Sequence, residues 1–213
     1  AHGTTVGINA IVTRRGAKTA LVTTKGFRDL MVIRRGDRES FDLWWQPPKP
    51  MIPRRFRFEL DERINYLGDV LTSVDKQEVL ELAARIRALE IEAVAIVFVN
   101  SPVNATHEQQ VKQLLEKELP GVYISASHEI LPEILESERT ATTTINAYIG
   151  PVMEQYVGQL EERLLAAGYD GELDAADQRV DVGSATALLV GVGNAGGETA
   201  RLCKALGMRT LGV

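Results

Sequence analysis

The chain has 213 residues, of which 45% are hydrophobic and 25% are charged, as in an ordinary folded globular protein. Its net charge of −5 gives no electrostatic reason to expect binding to nucleic acid or to an anionic membrane. The single cysteine, Cys203, excludes an internal disulfide framework and indicates a reducing, cytoplasmic compartment. No apolar run is long enough to cross a bilayer. The abrupt start on a motif leads us to expect a fragment or a processed piece.

The opening of the chain predicts a polar turn followed by a short helix. A hydroxyl from Thr4 or Thr5 can accept a hydrogen bond from an otherwise unpaired N–H at the helix start. Apolar residues follow at helical spacing, and Gly16 is expected to end the helix behind two arginines. Hydroxyls and free amides at a helix start also form an anion site, so this turn is a candidate site for a phosphate or a carboxylate.

Between residues 19 and 126, short apolar strands alternate with amphipathic helices. A helix capped by Asp75 and another capped by Thr106 separate the later strands, and a hairpin surrounds Gly68. This alternation indicates an α/β domain with parallel strands and right-handed crossovers. The predicted strands cover residues 19–24, 56–60, 93–99 and 122–125.

A proline-rich stretch at residues 41–53 predicts an extended arm, because proline disfavours both helix and central strand. Trp44 and Trp45 are its aromatic anchors. The arm either packs on its own domain or reaches the surface of a partner, where buried tryptophans often contribute.

Residues 127–150 form a polar segment with helical spacing and many threonines. The threonines either pack this helix against a neighbour or line a polar cleft. The core face is expected to include Ala141 and Tyr148. Pro151 is expected to begin a separate helix that Gly168 closes.

The three histidines differ in their expected roles. His2 is the strongest catalytic candidate, because its pKa range suits proton transfer, although it can equally cap the first helix or face solvent. His107 is expected on the exposed start of a helix, and His128 in a structural hydrogen bond. No metal site is expected, because the histidines and the cysteine lack metal-ligand spacing.

The C-terminal residues carry a glycine pattern between two predicted strands. Gly191, Gly193 and Gly196 form a G-x-G-x-x-G turn, which suits a dinucleotide pyrophosphate. The stretch resembles the start of the NAD-binding domain of D-2-hydroxyacid dehydrogenases. The sequence stops where the ribose-binding acid is due, which argues against a working dehydrogenase. We expect three parts: a domain at 1–168, a linker at 169–184 and a single Rossmann-like βαβ unit at 185–213.

The first three quarters of the chain resemble the N-terminal domain of the hydantoinase A/oxoprolinase family. The resemblance depends on a series of short motifs in the same order. They are His2-Gly3-Thr4-Thr5, Asn9-Ala10, Arg14-Arg15-Gly16-Ala17, the strand at 19–24, Gly26-Phe27-Arg28-Asp29, Pro53-Arg54-Arg55, the segment at 127–133, Glu138-Arg139-Thr140 and Asn146-Ala147-Tyr148.

This resemblance implies an incomplete domain of the actin/hexokinase type that uses ATP and Mg²⁺ to activate a cyclic amide or a ketone. His2 would be catalytic, and Gly3, Thr4, Thr5 and Asn9 would bind substrate or phosphate. The family's phosphate loops are missing here, so we expect no activity from the chain alone and expect a second large subunit in an oligomer. Hydrolysis and carboxylation stay open, as do a non-catalytic interaction subunit and a dinucleotide-binding fragment.

Overall fold

The computed structural model describes residues 5–33, 44 and 49–166, together with the backbone of 186–189 and 209–212. The chain divides into two compact units, one of residues 5–158 and one of residues 1–4 with 159–213. The elements in chain order are α1 (Val6–Val12), β1 (Thr19–Thr24), α2 (Leu30–Ile33), a 3-10 turn (Arg54–Phe56), β2 (Arg57–Leu60), β3 (Arg63–Ile64), β4 (Val70–Thr72), α3 (Lys76–Ala88), β5 (Ala93–Val97), α4 (Thr106–Glu118), β6 (Tyr123–Ala126), α5 (Ser127–Ile130), α6 (Glu136–Ala166), β7 (Thr186–Leu189) and β8 (Arg209–Gly212).

The first unit is built on a four-stranded sheet in the order β2-β1-β5-β6, with all neighbours parallel. β1 and β5 are buried along their whole length, which is why both read as short continuous runs of small and branched residues. β3 and β4 form the predicted antiparallel hairpin. The mixed α/β class with a parallel sheet is therefore confirmed.

Helices α3 and α4 lie where the sequence pattern predicts them, but the residue that caps α4 differs from the prediction. Asp75 caps α3 as predicted, because its carboxylate accepts from the N–H of Gln77 at 2.8 Å. Thr106 does not cap α4. The Asn104 side chain accepts from both the N–H and the hydroxyl of Thr106, so an amide two residues earlier performs that role.

The opening helix is shorter than predicted. α1 ends at Val12, and Gly16 lies beyond its end, where it packs against the ring of Tyr148. A Cβ at Gly16 would lie 2.2 Å from that ring, and the N–H of Ala17 donates to the Tyr148 carbonyl at 2.9 Å. Gly16 is therefore required for close approach to α6 rather than for ending a helix.

α6 is one continuous helix, so the prediction that Pro151 begins a new helix is wrong. Ala141 is exposed rather than in the core. Thr140 and Thr143 are buried, and their hydroxyls donate to carbonyls one turn earlier at 2.7 and 2.8 Å. These two threonines therefore pack the helix rather than line a cleft, as the first of the two interpretations expected.

In the second unit, β7 and β8 pair in parallel near the predicted positions. Gly191, Gly193 and Gly196 lie outside the described residues, so the Rossmann-like unit stays a prediction. Most of the proline-rich arm also lies outside the described residues. Trp44 is described, and it is 87% exposed. Among the residues that the structure describes, no helix is both long and apolar enough to span a membrane.

Candidate functional site

The opening motif is partly described. His2, Gly3 and Thr4 lie outside the described residues, whereas Thr5 and Asn9 are exposed on the first turn of α1. The Thr5 side chain forms no cap hydrogen bond, so the expected threonine cap is not made by this residue. The Asn9 amide instead donates to the Thr5 hydroxyl at 3.3 Å. The structure thus brings two of the predicted site residues together at the surface.

α1 is held in place by close packing on α6. A Cβ at Gly7 would lie 3.5 Å from Cδ1 of Ile149 and 3.6 Å from the sulfur of Met153. Together with the contact between Gly16 and Tyr148, this packing fixes both ends of the segment that carries Thr5 and Asn9. A fixed position is what a ligand-contacting turn needs.

A cavity of about 300 Å³ lies near the C-terminal end of α1. The guanidinium of Arg14 donates to the carbonyl of Lys49 at 2.9 Å and so connects helix and arm. Among the residues that the structure describes, two cations and no carboxylate line this cavity, which favours an anionic ligand over a cationic one. The described lining residues are Ile11, Arg14, Lys49, Pro50, Met51, Pro53 and Tyr148.

The carboxyl ends of β1 and β5 meet where the strand order reverses direction, which is the usual ligand crevice of an open α/β sheet. Here buried polar side chains occupy that position. The hydroxyl of Thr24 donates to Glu62 and accepts from the N–H of Val99 at 3.0 Å. Nδ1 of His107 lies 2.6 Å from the other oxygen of Glu62.

The prediction that His107 lies at the surface is wrong, because its side chain is only 3% exposed. A signal for this was available in the sequence. His107 precedes Val111 by four residues and Leu115 by eight, so it continues the buried stripe of α4. A polar residue on an apolar stripe requires a buried partner, and the structure supplies Glu62.

A second buried carboxylate, Glu108, joins three elements. One oxygen accepts from the N–H of Phe98 at 2.8 Å and from the hydroxyl of Ser127 at 2.6 Å. The other accepts from the N–H of His128 at 2.8 Å and lies 2.9 Å from its Nδ1. Burial raises the pKa of Glu108, whereas the hydrogen bonds from His128, Ser127 and the backbone lower it. The hydrogen bonds together outweigh burial, so the pKa lies below its ordinary value. The structural role expected for His128 is confirmed.

Arg139 completes this second cluster from α6. Its Nη1 donates to the carbonyl of Phe98 and the hydroxyl of Ser127, both at 2.8 Å, and also to the hydroxyl of Ser101. It lies 3.7 Å from Glu108. Burial lowers the pKa of Arg139, and the nearby carboxylates of Glu108 and Glu136 oppose that shift.

Two of the motifs that resemble the family, the one ending at Asp29 and the one containing Arg54, meet in an ion cluster at the edge of the sheet. Arg54 forms a bidentate pair with Asp29, and Nη1 of the buried Arg57 lies 3.1 Å from the same carboxylate. The hydrogen bond from Arg54 is the main reason why the pKa of Asp29 lies below its ordinary value. These motif residues therefore connect segments of the fold.

The described clusters stabilise the fold and carry no evident reaction centre. Glu62, Glu108 and Arg139 are enclosed, and each already has protein partners, so they are not positioned to exchange protons with a substrate. Among the described residues, no three His, Cys, Asp or Glu side chains lie close enough to hold a metal ion. Among the described residues, the exposed opening turn with Thr5 and Asn9 remains a candidate for ligand contact.

Comparison with known proteins agrees with these motifs. Residues 1–119 match the hydantoinase/oxoprolinase N-terminal region. An uncharacterized protein of Methanocaldococcus jannaschii is 37% identical over 175 residues, which cover 80% of this chain and 26% of that protein. The gamma subunit of acetophenone carboxylase from Aromatoleum aromaticum is 28% identical over 80% of this chain and 25% of that subunit.

Caprolactamase of Pseudomonas jessenii is similar in both sequence and fold. Its alpha subunit is 34% identical over 163 residues, which cover 75% of this chain and 23% of the subunit. The crystal structure of that ATP-dependent caprolactamase superposes with a TM-score of 0.70 at 34% identity, over 75% of this chain and 23% of that chain. This chain spans about a quarter of the length of these relatives. The chain belongs to the hydantoinase/oxoprolinase family and carries its N-terminal region.

Proposed function

We propose that this chain is part of a subunit of an ATP-dependent enzyme that opens a cyclic amide or carboxylates a ketone. The observation that carries the proposal is the match of three quarters of the chain to a caprolactamase subunit in both sequence and fold. The lactam ring of caprolactam is a cyclic amide, and the acetophenone of the second relative is a ketone. The common requirement is activation of a stable carbonyl compound.

The opening turn is the part of the chain that would contact the phosphorylated ligand. Thr5 and Asn9 offer a hydroxyl and an amide on an exposed, well-packed helix start, and we assign substrate or phosphate contact to them together with Gly3 and Thr4. We assign the proton-transfer role to His2. ATP with Mg²⁺ would supply a phosphoryl group to the carbonyl oxygen of the amide or to the enolate oxygen of the ketone, with ADP as the leaving group.

The remaining phosphate contacts come from outside these residues, in a complete fold of the actin/hexokinase type. The buried clusters around Glu62 and Glu108 support this division, because their carboxylates are enclosed and bind other parts of the fold. We therefore infer that the chain alone does not turn over. Two relatives are named as an alpha and a gamma subunit, which supports a second large subunit as the partner of this one. The single cysteine supports a cytoplasmic location, because disulfide-rich chains are typical of oxidising compartments.

The test uses the polypeptide encoded by the complete reading frame, beside the 213-residue chain. ATP hydrolysis is measured with caprolactam, with 5-oxoproline, and with acetophenone plus bicarbonate. We expect turnover with one of these from the longer polypeptide, with its partner subunit where one is encoded, and none from the 213-residue chain. Turnover by the 213-residue chain would overturn the inference that its phosphate site is incomplete, and no turnover in any mixture would overturn the proposed reaction.

Matched threonine variants test the assigned site. Thr5→Val removes the hydroxyl at the start of α1, whereas Thr142→Val removes an exposed hydroxyl on α6. We expect Thr5→Val to lower kcat/KM by about tenfold, as loss of about 1.4 kcal/mol of transition-state stabilisation would. We expect Thr142→Val to change kcat/KM less than twofold. Equal effects of the two variants would refute the assignment.

A second candidate function is dinucleotide binding by the C-terminal residues. The parallel pairing of β7 and β8 on either side of the Gly191–Gly196 pattern favours it. NADH titration of the wild-type chain and of Gly193→Val tests it, since a valine side chain would block the approach of the pyrophosphate. Binding that the variant loses supports this candidate. Binding of neither NADH nor ATP favours an interaction subunit that uses Trp44 and Trp45.

A further inference from the structure

The hairpin of β3 and β4 displays apolar side chains to solvent. Tyr66 and Leu67 in the turn, Val70 and Leu71 in β4, and Val103 in the facing loop are between 46% and 78% exposed. We call these five residues the hairpin surface. The opposite side of the hairpin is anchored in the interior, because Ile64 is fully buried.

The turn of the hairpin is held rigidly by a single asparagine. The side-chain oxygen of Asn65 accepts from the N–H of Leu67 and of Asp69, both at 2.9 Å, and its amide donates to the Asp69 carboxylate at 3.0 Å. Gly68 has a φ of 91°, a conformation that other residues adopt only with strain. The turn geometry is therefore determined locally.

Two further asparagines fix the hairpin on the loop that follows β5. Asn100 donates to the carbonyl of Ile64 and Asn104 to that of Gly68, both at 2.8 Å. A Cβ at Gly68 would lie 3.3 Å from Val103, so the turn and the loop are in close contact. The hairpin surface is thus preorganised, which reduces the ordering entropy that docking would otherwise cost.

The size of the hairpin surface argues against a stable dimer of this chain. The exposed fractions correspond to roughly 500 Å², which is below the roughly 800 Å² per partner that a standard interface buries. A patch of this size can still be covered within one polypeptide, because the linked segments have an effective concentration in the millimolar range. The relatives are about four times longer than the matched region, so such a segment exists in them.

We propose that the hairpin surface docks against another segment of the same full-length subunit. This inference relies on the proposed function only in placing the chain within a longer subunit. Its occupant is an apolar surface outside these 213 residues, and the rigid asparagine-braced turn presents Tyr66, Leu67 and Leu71 to it.

Cysteine labelling tests the docking. Leu67→Cys is made in a Cys203→Ser background, both in the 213-residue chain and in the polypeptide of the complete reading frame, and the rate of maleimide modification is measured. Ala84→Cys, on an exposed position of α3, is the matched control. We expect the Leu67→Cys site to react at least tenfold more slowly in the complete polypeptide, with the Ala84→Cys rate changed less than twofold.

Any outcome other than this selective protection of the Leu67→Cys site refutes the docking. Equal rates in both polypeptides, equal protection of both sites, or a reading frame no longer than this chain would refute it. Protection that appears only on adding the second subunit identifies an intersubunit contact instead. Protection of the 213-residue chain that rises with its concentration identifies a second copy. ATP turnover is measured separately on the same samples, so an enzyme that turns over with an unprotected Leu67→Cys site refutes the docking and leaves the proposed function standing.

Discussion

Replacing Glu108 by alanine removes the carboxylate on which the second buried cluster depends. The carboxylate accepts hydrogen bonds from the N–H groups of Phe98 and His128 and from the hydroxyl of Ser127. The variant leaves these donors without their acceptor and takes the nearest carboxylate away from the buried guanidinium of Arg139. We expect the free energy of unfolding to fall by about 3–5 kcal/mol, as for other broken buried ion pairs.

Glu108→Gln is the matched control for this prediction. Glutamine keeps the size and one acceptor oxygen but places an NH₂ group against donors. We expect a loss of about 1–3 kcal/mol, the usual cost of buried groups left without partners. Urea unfolding followed by far-UV circular dichroism measures both values. A loss below about 1 kcal/mol for Glu108→Ala would refute the reasoning, since the cluster would then contribute little to stability.

The same carboxylate predicts a pH dependence. Its folded pKa lies below the ordinary value, so the folded state binds fewer protons at this group than the unfolded state does. Its contribution to stability is complete above the unfolded pKa, about 4.3, and is lost as the pH falls through the folded pKa. We expect the Tm of the wild-type chain to fall more steeply than that of Glu108→Gln below about pH 4.3. Parallel curves would contradict the prediction.

Three further substitutions test the packing and the caps by thermal or urea unfolding. Gly16→Ala places a methyl group into the ring of Tyr148, so we expect the free energy of unfolding to fall by about 1–3 kcal/mol. Gly158→Ala, in α6, meets no atom within 4 Å and should leave this free energy unchanged or raise it by up to about 1 kcal/mol. Similar effects at the two positions would contradict this prediction. His107→Ala removes the ring that faces one oxygen of the buried Glu62, and we expect a cost of about 1–3 kcal/mol, the usual cost of a buried group left without its partner. A loss below about 0.5 kcal/mol would show that the pair is dispensable. Asp75→Ala removes the cap of α3 and should cost about 1 kcal/mol, while Asp75→Asn, which keeps an acceptor, should lose less than half as much.

The family motifs illustrate why recognition succeeded while the site assignment stays a prediction. Asp29, Arg54 and Arg139 belong to the motifs that identify the family, and the structure shows that they connect segments of the fold. A motif residue in a buried ion pair and one in a ligand site look the same in a sequence. The roles of His2, Thr5 and Asn9 therefore depend on the binding and turnover experiments.

The sequence alone determined the features that arise from short-range physics. Alternating and continuous apolar runs identified β1, β2, β5 and β6, the side chain of Asp75 marked the start of α3, and the turn around Gly68 defined the hairpin. These patterns suffice because backbone hydrogen bonding, turn geometry and burial of one face are decided by neighbouring residues.

Only the tertiary structure decided which partners the buried polar residues meet and that the helix continues through Pro151. His107 is enclosed because Glu62, far away in sequence, reaches the same end of the sheet. Pro151 lies within α6 even though it breaks the helix pattern locally, since packing on β6 and α1 outweighs the lost hydrogen bond. Both outcomes depend on the energy of contacts between distant segments, and those contacts exist only after the chain has folded.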